Sequence, residues 1–456
     1  MQPIPVIDLK RTTPIEYNTD VAPILENKCV VCHSGKITEG DFDVSSYEKV
    51  IKGGRKRGAK VVVPGKPEES FLFLACARRV RPIMPPKTEP PLTPQELTIL
   101  KLWIEQGAKA PTTSRIRTRV VLQLPPALVK PVRALVVTPD GKQIIASRGN
   151  QLHVYGLQKI GDANKKETVD WVHQRSLIDP GIQLPDGKVA GAAHVSLVES
   201  LALSPDGKTL ASGSFQEVVL WDLANGQIRQ RLTGLADRVT ALAFSPDGKY
   251  LAVGGGPPSE EGELKLYAVP SAQLLTEIKN AHSDTVLALA FSPDGKYLAS
   301  GAADKFVKVF EVPSGKFVKA FEGHTQHVLG VGWTPDGKRL VSGSADNIVK
   351  TWDFEKGEKI RDIPGHQKQI TALVMVGQTP QFITVSGDTS ARWWNADNGG
   401  TIRIFGGAGD FLYAVGVSSD ASVVATGCED GLVRIYNGKT GALIKAIAPP
   451  ENAISK

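Results

Sequence analysis

Two periodicities divide this chain near residue 110. Before it, apolar positions recur every three or four residues; after it, short alternating segments separated by turns repeat to the end. Val21, Ile24, Leu25, Lys28 and Cys29 follow i, i+3, i+4 spacing, with Asn18 or Thr19 as N-cap, and predict a helix that delivers residues 29–33 at its C-terminal end. A second helix is predicted over 68–79, carrying Phe71, Leu72, Leu74 and Ala75. Thr93-Pro94-Gln95-Glu96 is a capping box with proline at the first helical position. It opens a third helix whose stripe is Leu97, Leu100 and Ile104, with Trp103 beside it and Gly107 as the stop. The intervening loops are rich in glycine and proline, and residues 81–94 hold too much proline for a helix. Three helices make a small core, to which a bound cofactor would add considerably.

The second part is anchored by a turn between strands: Thr138-Pro139-Asp140-Gly141, Ser204-Pro205-Asp206-Gly207, Ser245-Pro246-Asp247-Gly248, Ser292-Pro293-Asp294-Gly295 and Thr334-Pro335-Asp336-Gly337. Proline presets one turn dihedral and glycine supplies positive φ, so the motif marks a hairpin. Ser418-Ser419-Asp420-Ala421 is a worn copy, and the repeat at 370–401 lacks the turn but keeps Thr384, Asp388 and Trp394. A period in the low forties fits four-stranded propeller blades, and the count predicts seven. With Gly323-His324, Gly365-His366, Trp221-Asp222 and Trp352-Asp353, residues 132–449 resemble the WD40 family. Two repeats carry that family's full side-chain network: His324, Ser342, Asp346, Trp352 and His366, Thr384, Asp388, Trp394. His194 and His282 sit at related positions. Elsewhere the network erodes, with Phe310 in place of tryptophan and Gln216 in place of aspartate. His153, His173 and His327 receive no role beyond strand or surface positions. Excursions at 157–195 and 254–262 are candidate contact surfaces or tolerated loops. Residues 442–447 can complete the last blade, which leaves 117–124 to replace them or lie outside.

Composition narrows the class. Hydrophobic content of 41% and charged content of 22% fit a globular protein, and no apolar run is long enough to span a bilayer. The residues 1–10 lack the pattern of a secretory signal. A net charge of +7 favours acidic partners, but basic residues are scattered, so no nucleic acid is expected. The densest basic cluster, Lys52, Arg55, Lys56, Arg57 and Lys60, reads as a solvated loop or as a docking patch for an acidic redox partner. Cys29, Cys32, Cys76 and Cys428 do not make a disulfide scaffold; two share one motif and two stand alone.

That motif, Cys29-Val30-Val31-Cys32-His33, is C-x-x-C-H, the attachment sequence for haem c. Two thiols three residues apart reach two carbons along one haem edge, and the histidine that follows swings beneath the ring to the iron. A structural disulfide, a redox dithiol or half of a zinc site use the same C-x-x-C pair. Zinc would need further ligands, yet His33 is the only histidine before His153 and Cys76 the only other thiol nearby. The chain has three methionines, and only Met84 lies inside this domain away from the start. In Arg81-Pro82-Ile83-Met84-Pro85-Pro86 its thioether suits the far face of a haem, or fills a core gap.

Residues 17–111 also resemble the planctomycete-type cytochrome c domain. The matching pieces are Asp20-Val21-Ala22-Pro23-Ile24-Leu25, the 29–33 motif, Gly53-Gly54, Val63-Pro64-Gly65-Lys66-Pro67-Glu68-Glu69-Ser70, Met84-Pro85-Pro86-Lys87, Leu92-Thr93 and Trp103-Ile104-Glu105-Gln106-Gly107-Ala108. The resemblance implies one covalent haem c on Cys29 and Cys32, with His33 and Met84 as axial ligands of the iron. The expected architecture is a small all-α cytochrome c domain (14–111), a linker (112–131) and an all-β seven-bladed WD40-type propeller (132–449). The expected function is electron transfer on a protein-interaction scaffold in an exported or periplasmic protein. The alternatives are a redox enzyme with its active site on the propeller, and a haem-free scaffold. No convergent histidine, tyrosine or carboxylate set marks a catalytic centre in the repeats.

Overall fold

A computed structural model of the chain describes residues 3–11, 13–29, 33–34, 37–38, 42–55, 57–86, 90–111, 120–121, 131–160, 168–184, 186–269 and 271–450. The chain divides into two compact units, Met1–Val120 and Val121–Lys456. The first is helical. A π-helical turn, Tyr17–Val21, leads into α1 (Ala22–Lys28). The turn is capped by Glu16, whose side chain accepts from the Thr19 N–H at 2.9 Å, and α1 starts after Val21 without a side-chain cap, so neither Asn18 nor Thr19 is the N-cap. A helix that the pattern did not predict, α2 (Tyr47–Lys52), is capped by Ser46. It is six residues long with one buried apolar side chain, Val50, too short to show a period. The helix expected over 68–79 is broken. A 3-10 turn, Pro67–Glu69, is separated from α3 (Phe71–Cys76) by Ser70 in extended conformation.

The last helix, α4 (Pro94–Glu105), has the capping box read from the sequence. Thr93 Oγ1 accepts from Glu96 N at 3.2 Å and Glu96 Oε2 from Thr93 N at 2.7 Å. Val21, Leu25, Phe73, Leu97, Leu100 and Trp103 share one core.

The second unit is built from antiparallel sheets. The expectation of seven separate blades is corrected: hydrogen bonding joins the repeats into six sheets, five of four strands and one of six. The larger sheet arises because Ile228–Phe244 runs unbroken from the outer edge of one repeat to the inner edge of the next. Innermost strands pack against one another in chain order, and Leu412–Val417 packs against Leu135–Val137 to close the ring. Leu443–Ile447 is the outer strand of the last sheet, so that sheet is completed by its own chain. Of residues 117–124 only 120–121 are described, and they lie outside that sheet.

The turns explain the repeat. Ser245 Oγ donates to Asp247 Oδ1 at 2.7 Å and accepts from Tyr250 N at 2.9 Å, while Lys249 N donates to the same carboxylate at 3.0 Å. The Ser245 hydroxyl and the Lys249 N–H hold Asp247 down at about 2. The worn copy at Ser418 keeps these bonds.

The eroded networks are fuller than the pattern indicates. His194 Nδ1 lies 2.9 Å from Glu217 Oε1, its Nε2 lies 2.7 Å from Ser212 Oγ, and Trp221 Nε1 donates to Ser212 at 2.8 Å. Glu217, not Gln216, is the acid. In the regular repeats it falls 22 residues after the histidine; here Gln216 turns at φ +59 and the longer carboxylate at the next position reaches the same imidazole. Arg231 pairs with Glu217 at 3.2 Å and with Asp179, which ties the 178–198 loop to the sheet. The excursion beyond 157 is largely a long hairpin, Gln151–Ile160 against Thr168–Leu177. The 254–262 insertion is docked on the next repeat, with Ser259 N donating to Asp284 at 2.9 Å and Gly262 N to His282 O at 3.0 Å.

These buried charges set two expectations. Glu217→Ala leaves His194 without its acid and Arg231 with Asp179 alone, and should lower propeller stability by about 3 kcal/mol. Gln216→Gly, at a position that already turns left-handed, should stay within about 1 kcal/mol. Urea denaturation followed by tryptophan fluorescence distinguishes the two assignments.

Burial pushes His282 and His366 down from their ordinary value. Asp346 and Asp388 are pushed up by burial, but hydrogen bonds outweigh it and hold both at about 2. For both residue types the unfolded chain binds protons first, so stability is complete at neutral pH and is lost on acidification. The urea midpoint should therefore fall below about pH 6.5 as the histidines titrate in the unfolded chain, and again from about 4 to 2 with the carboxylates.

Candidate functional site

Helix α1 ends on Cys29, whose N–H donates to Leu25 O at 2.8 Å and whose side chain is buried in the core of the first unit. Residues 30–32, Cys32 among them, lie outside the described residues. The chain resumes as a two-residue strand, His33–Ser34, paired with Ile37–Thr38. His33 is 8% exposed, and two contacts with one segment fix it: Val44 N donates to His33 O at 2.7 Å, and His33 Nδ1 lies 3.1 Å from Phe42 O. A carbonyl oxygen can only accept, so in the neutral ring the proton sits on Nδ1 and the lone pair on Nε2. Nε2 makes no hydrogen bond among the described residues and is not one of their buried unpartnered atoms. The Phe42 ring packs edge-on at 5.5 Å and so limits rotation of the imidazole. Phe42 was not picked out by the sequence, because a main-chain acceptor leaves no signature in residue type.

Met84 lies in the non-helical 81–86 segment, half-buried against the core that holds Cys29. Its N–H donates to Ala75 O of α3 at 3.2 Å. The next residue of α3, Cys76, is fully buried; burial pushes its thiol well up, and the neighbouring Cys29 adds to the effect. Cys76 is thus held as a thiol and does not compete as a thiolate ligand. The structure therefore arranges Cys29, Met84 and the Phe42 support of His33 around one core. Among the described residues no three His, Cys, Asp or Glu side chains converge on a metal position. The donor set of one imidazole, one thioether and the motif thiols fits an iron carried by a porphyrin that is anchored through its edge.

The surroundings are structured by Ser70, which is fully buried. Its hydroxyl accepts from Val63 N at 2.8 Å and donates to Lys66 O at 2.9 Å, while Gly65 N donates to Ile104 O at 2.7 Å. Lys52, Arg55, Arg57 and Lys60 are exposed, with Arg57 3.7 Å above the Phe71 ring; Lys56 lies outside the described residues. A cavity of about 190 Å³ lined by Tyr17, Val44, Tyr47 and Pro111 includes none of Cys29, His33 and Met84. In the propeller, His194, His282, His324 and His366 belong to the structural networks, and His327 is exposed.

Residues 29–88 match the Planctomycete cytochrome C family; the stretch begins on Cys29 and includes Cys32, His33 and Met84. Residues 188–222, 226–267, 273–311, 315–353, 357–395 and 399–437, together more than half of the chain, match the WD domain, G-beta repeat family. The first sheet, strands 135–177, lies outside these segments. No curated protein matches the chain.

Ser70→Ala should remove the clamp on the 61–70 loop and lower the stability of the first unit by about 2 kcal/mol. Hydrogen exchange at Val63, read against α4 as an internal reference, measures it.

Proposed function

The chain belongs to the WD40-repeat family, and from that premise, joined to its cytochrome c-like domain, we propose a haem c electron-transfer protein whose propeller is a protein-interaction scaffold. The observation that carries this reading is His33, a buried imidazole with Nδ1 tied to a backbone carbonyl and Nε2 left to a ligand. Metal-bound histidines commonly donate their other ring N–H to a carbonyl in this way, which fixes the tautomer and raises the basicity of the ligating nitrogen.

In this proposal Cys29 and Cys32 would form the covalent links, and His33 and Met84 would hold the iron. Haem held there would supply a one-electron iron couple, and histidine–methionine ligation would raise its potential over a bis-histidine site. The protein contributes the rest. The Phe42 carbonyl aims His33; the core around Leu25, Phe73 and Leu100 keeps water away from Cys29; the proline-flanked segment places Met84 without a helix. With the iron held by both His33 and Met84, the domain would pass electrons and offer no open position to a substrate. Exposed Lys52, Arg55 and Lys60 favour an acidic redox partner through long-range attraction. Covalent haem attachment outside the cytoplasm makes an exported, periplasmic protein the natural setting.

The test is production in an exporting host with the haem c attachment machinery. Haem should stay with the polypeptide after denaturation, and His33→Ala together with Cys29→Ala should abolish retention. Met84→Ala should keep haem, lose the weak sulfur-to-iron charge-transfer band and shift to a lower potential. Colourless exported protein with the motif thiols free or bridged to each other would overturn the reading.

A further inference from the structure

The seam between the last and first sheets of the propeller is unlike the others. At later seams, cations 42 residues apart on successive outer strands reach a carbonyl in the next sheet: Lys319 to Phe354 O at 2.9 Å, Arg361 to Asn398 O at 2.7 Å and Arg403 to Gly438 O at 2.5 Å. The next in that series, Lys445, meets instead the carboxylate of Asp170. The closing bonds to carbonyls come from the other side, from Arg148 of the first sheet. Its side chain is 4% exposed and donates to Gly431 O, to Ile447 O at 3.1 Å and to Tyr155 Oη at 3.1 Å. Because the last sheet is completed by its own chain, no strand is exchanged across this joint.

Two histidines stand behind Arg148. His153 is 1% exposed, and its Nδ1 lies 3.0 Å from Ser176 Oγ and 3.4 Å from His173 Nε2, while Ser176 Oγ lies 3.3 Å from the same His173 nitrogen. Tyr155 on the central strand packs 5.7 Å from His173. The groups that face the pair are Arg148 on one side, Tyr155 on their own sheet, and the Ser176 hydroxyl. The acids flanking the seam, Asp170 and Asp430, are committed to Lys445 and Arg434. Arg148 places positive charge beside both rings, which disfavours a metal cation there and equally disfavours an imidazolium.

We propose that this seam is an acid-sensitive latch, in which protonation of the His153–His173 pair displaces Arg148 from the Gly431 and Ile447 carbonyls and opens the ring at that joint alone. Burial, then Arg148, then His173 hold His153 down at about 3, and burial and Arg148 lower His173 as well. In the opened seam His153 would regain its ordinary value near 6.5, so opening binds a proton. From His153 alone, the opening constant should rise about 25-fold between pH 7 and pH 5.

Hydrogen exchange of the full chain, as protection factors corrected for the intrinsic pH dependence of exchange, tests it. Protection in 431–434 and 443–447 should fall about 25-fold at pH 5, while 358–363 and 401–405, at seams clasped by Arg361 and Arg403, change far less. The double variant His153→Asn, His173→Gln should lose the seam-specific response. Arg148→Gln should show the acid-level exchange already at pH 7 and little further response. Uniform loss of protection at all seams, or an unchanged seam response in the double variant, overturns the latch. Should the double variant fail to fold, the Arg148→Gln profile and the His153 titration by NMR decide: a His153 that protonates near 6.5 in the closed ring sinks it.

Discussion

How a buried imidazole commits its ring nitrogens separates the two units of this chain. In the propeller, His194, His282, His324 and His366 give Nδ1 to a carboxylate and Nε2 to a Ser or Thr hydroxyl. Nothing remains for a ligand, and the result is rigidity: the hydroxyl also accepts from a tryptophan N–H in three of these repeats. In the first unit His33 gives Nδ1 to a main-chain carbonyl and keeps Nε2. The same residue is mortar in one unit and a ligand candidate in the other, and what separates them is the partner of each ring nitrogen.

Repetition lets one solution serve many times. Each turn satisfies its own backbone through a hydroxyl and a carboxylate two residues apart, and each later outer strand carries a cation at the same position to cap a carbonyl of its neighbour. Departures are local repairs. Where one hairpin turns a residue early, aspartate gives way to the longer Glu217, and Arg231 bridges that carboxylate to Asp179. Where the series of outer cations reaches the first sheet, an acid and a second arginine take over.

Much of this was legible in the sequence because it is carried by residue type at fixed spacing. The capping box of α4, the turns and the two regular networks all have that character, and the division near residue 110 follows from the change of period. What escaped is carried otherwise. Helix α2 is too short for periodicity to register, and Ser70 breaks a run of good helix formers because its hydroxyl serves the preceding loop. The acid of the early-turning repeat escapes as well, since counting assumes a constant turn length and lands on Gln216. Separate blades were counted from turns, but hydrogen bonding runs through Ile228–Phe244 and leaves six sheets. Arg148 and the Phe42 carbonyl act across distance or through main chain, where a linear pattern has nothing to report.

The arginine clasp on Gly431 and Ile447 joins residues 283 and 299 positions apart, whereas most pairing in the propeller is between adjacent strands of one hairpin. Local pairings form early and long-range ones late, because the chain entropy of a large loop must be overcome first. On the ribosome, then, sheet after sheet can settle as it emerges, yet the flank of the first must wait until nearly the whole chain has been made. During that interval its Val132, Leu135 and Tyr155 are apolar surface without a cover, and whatever shields them in the cell shapes the yield of the protein as much as its final stability does.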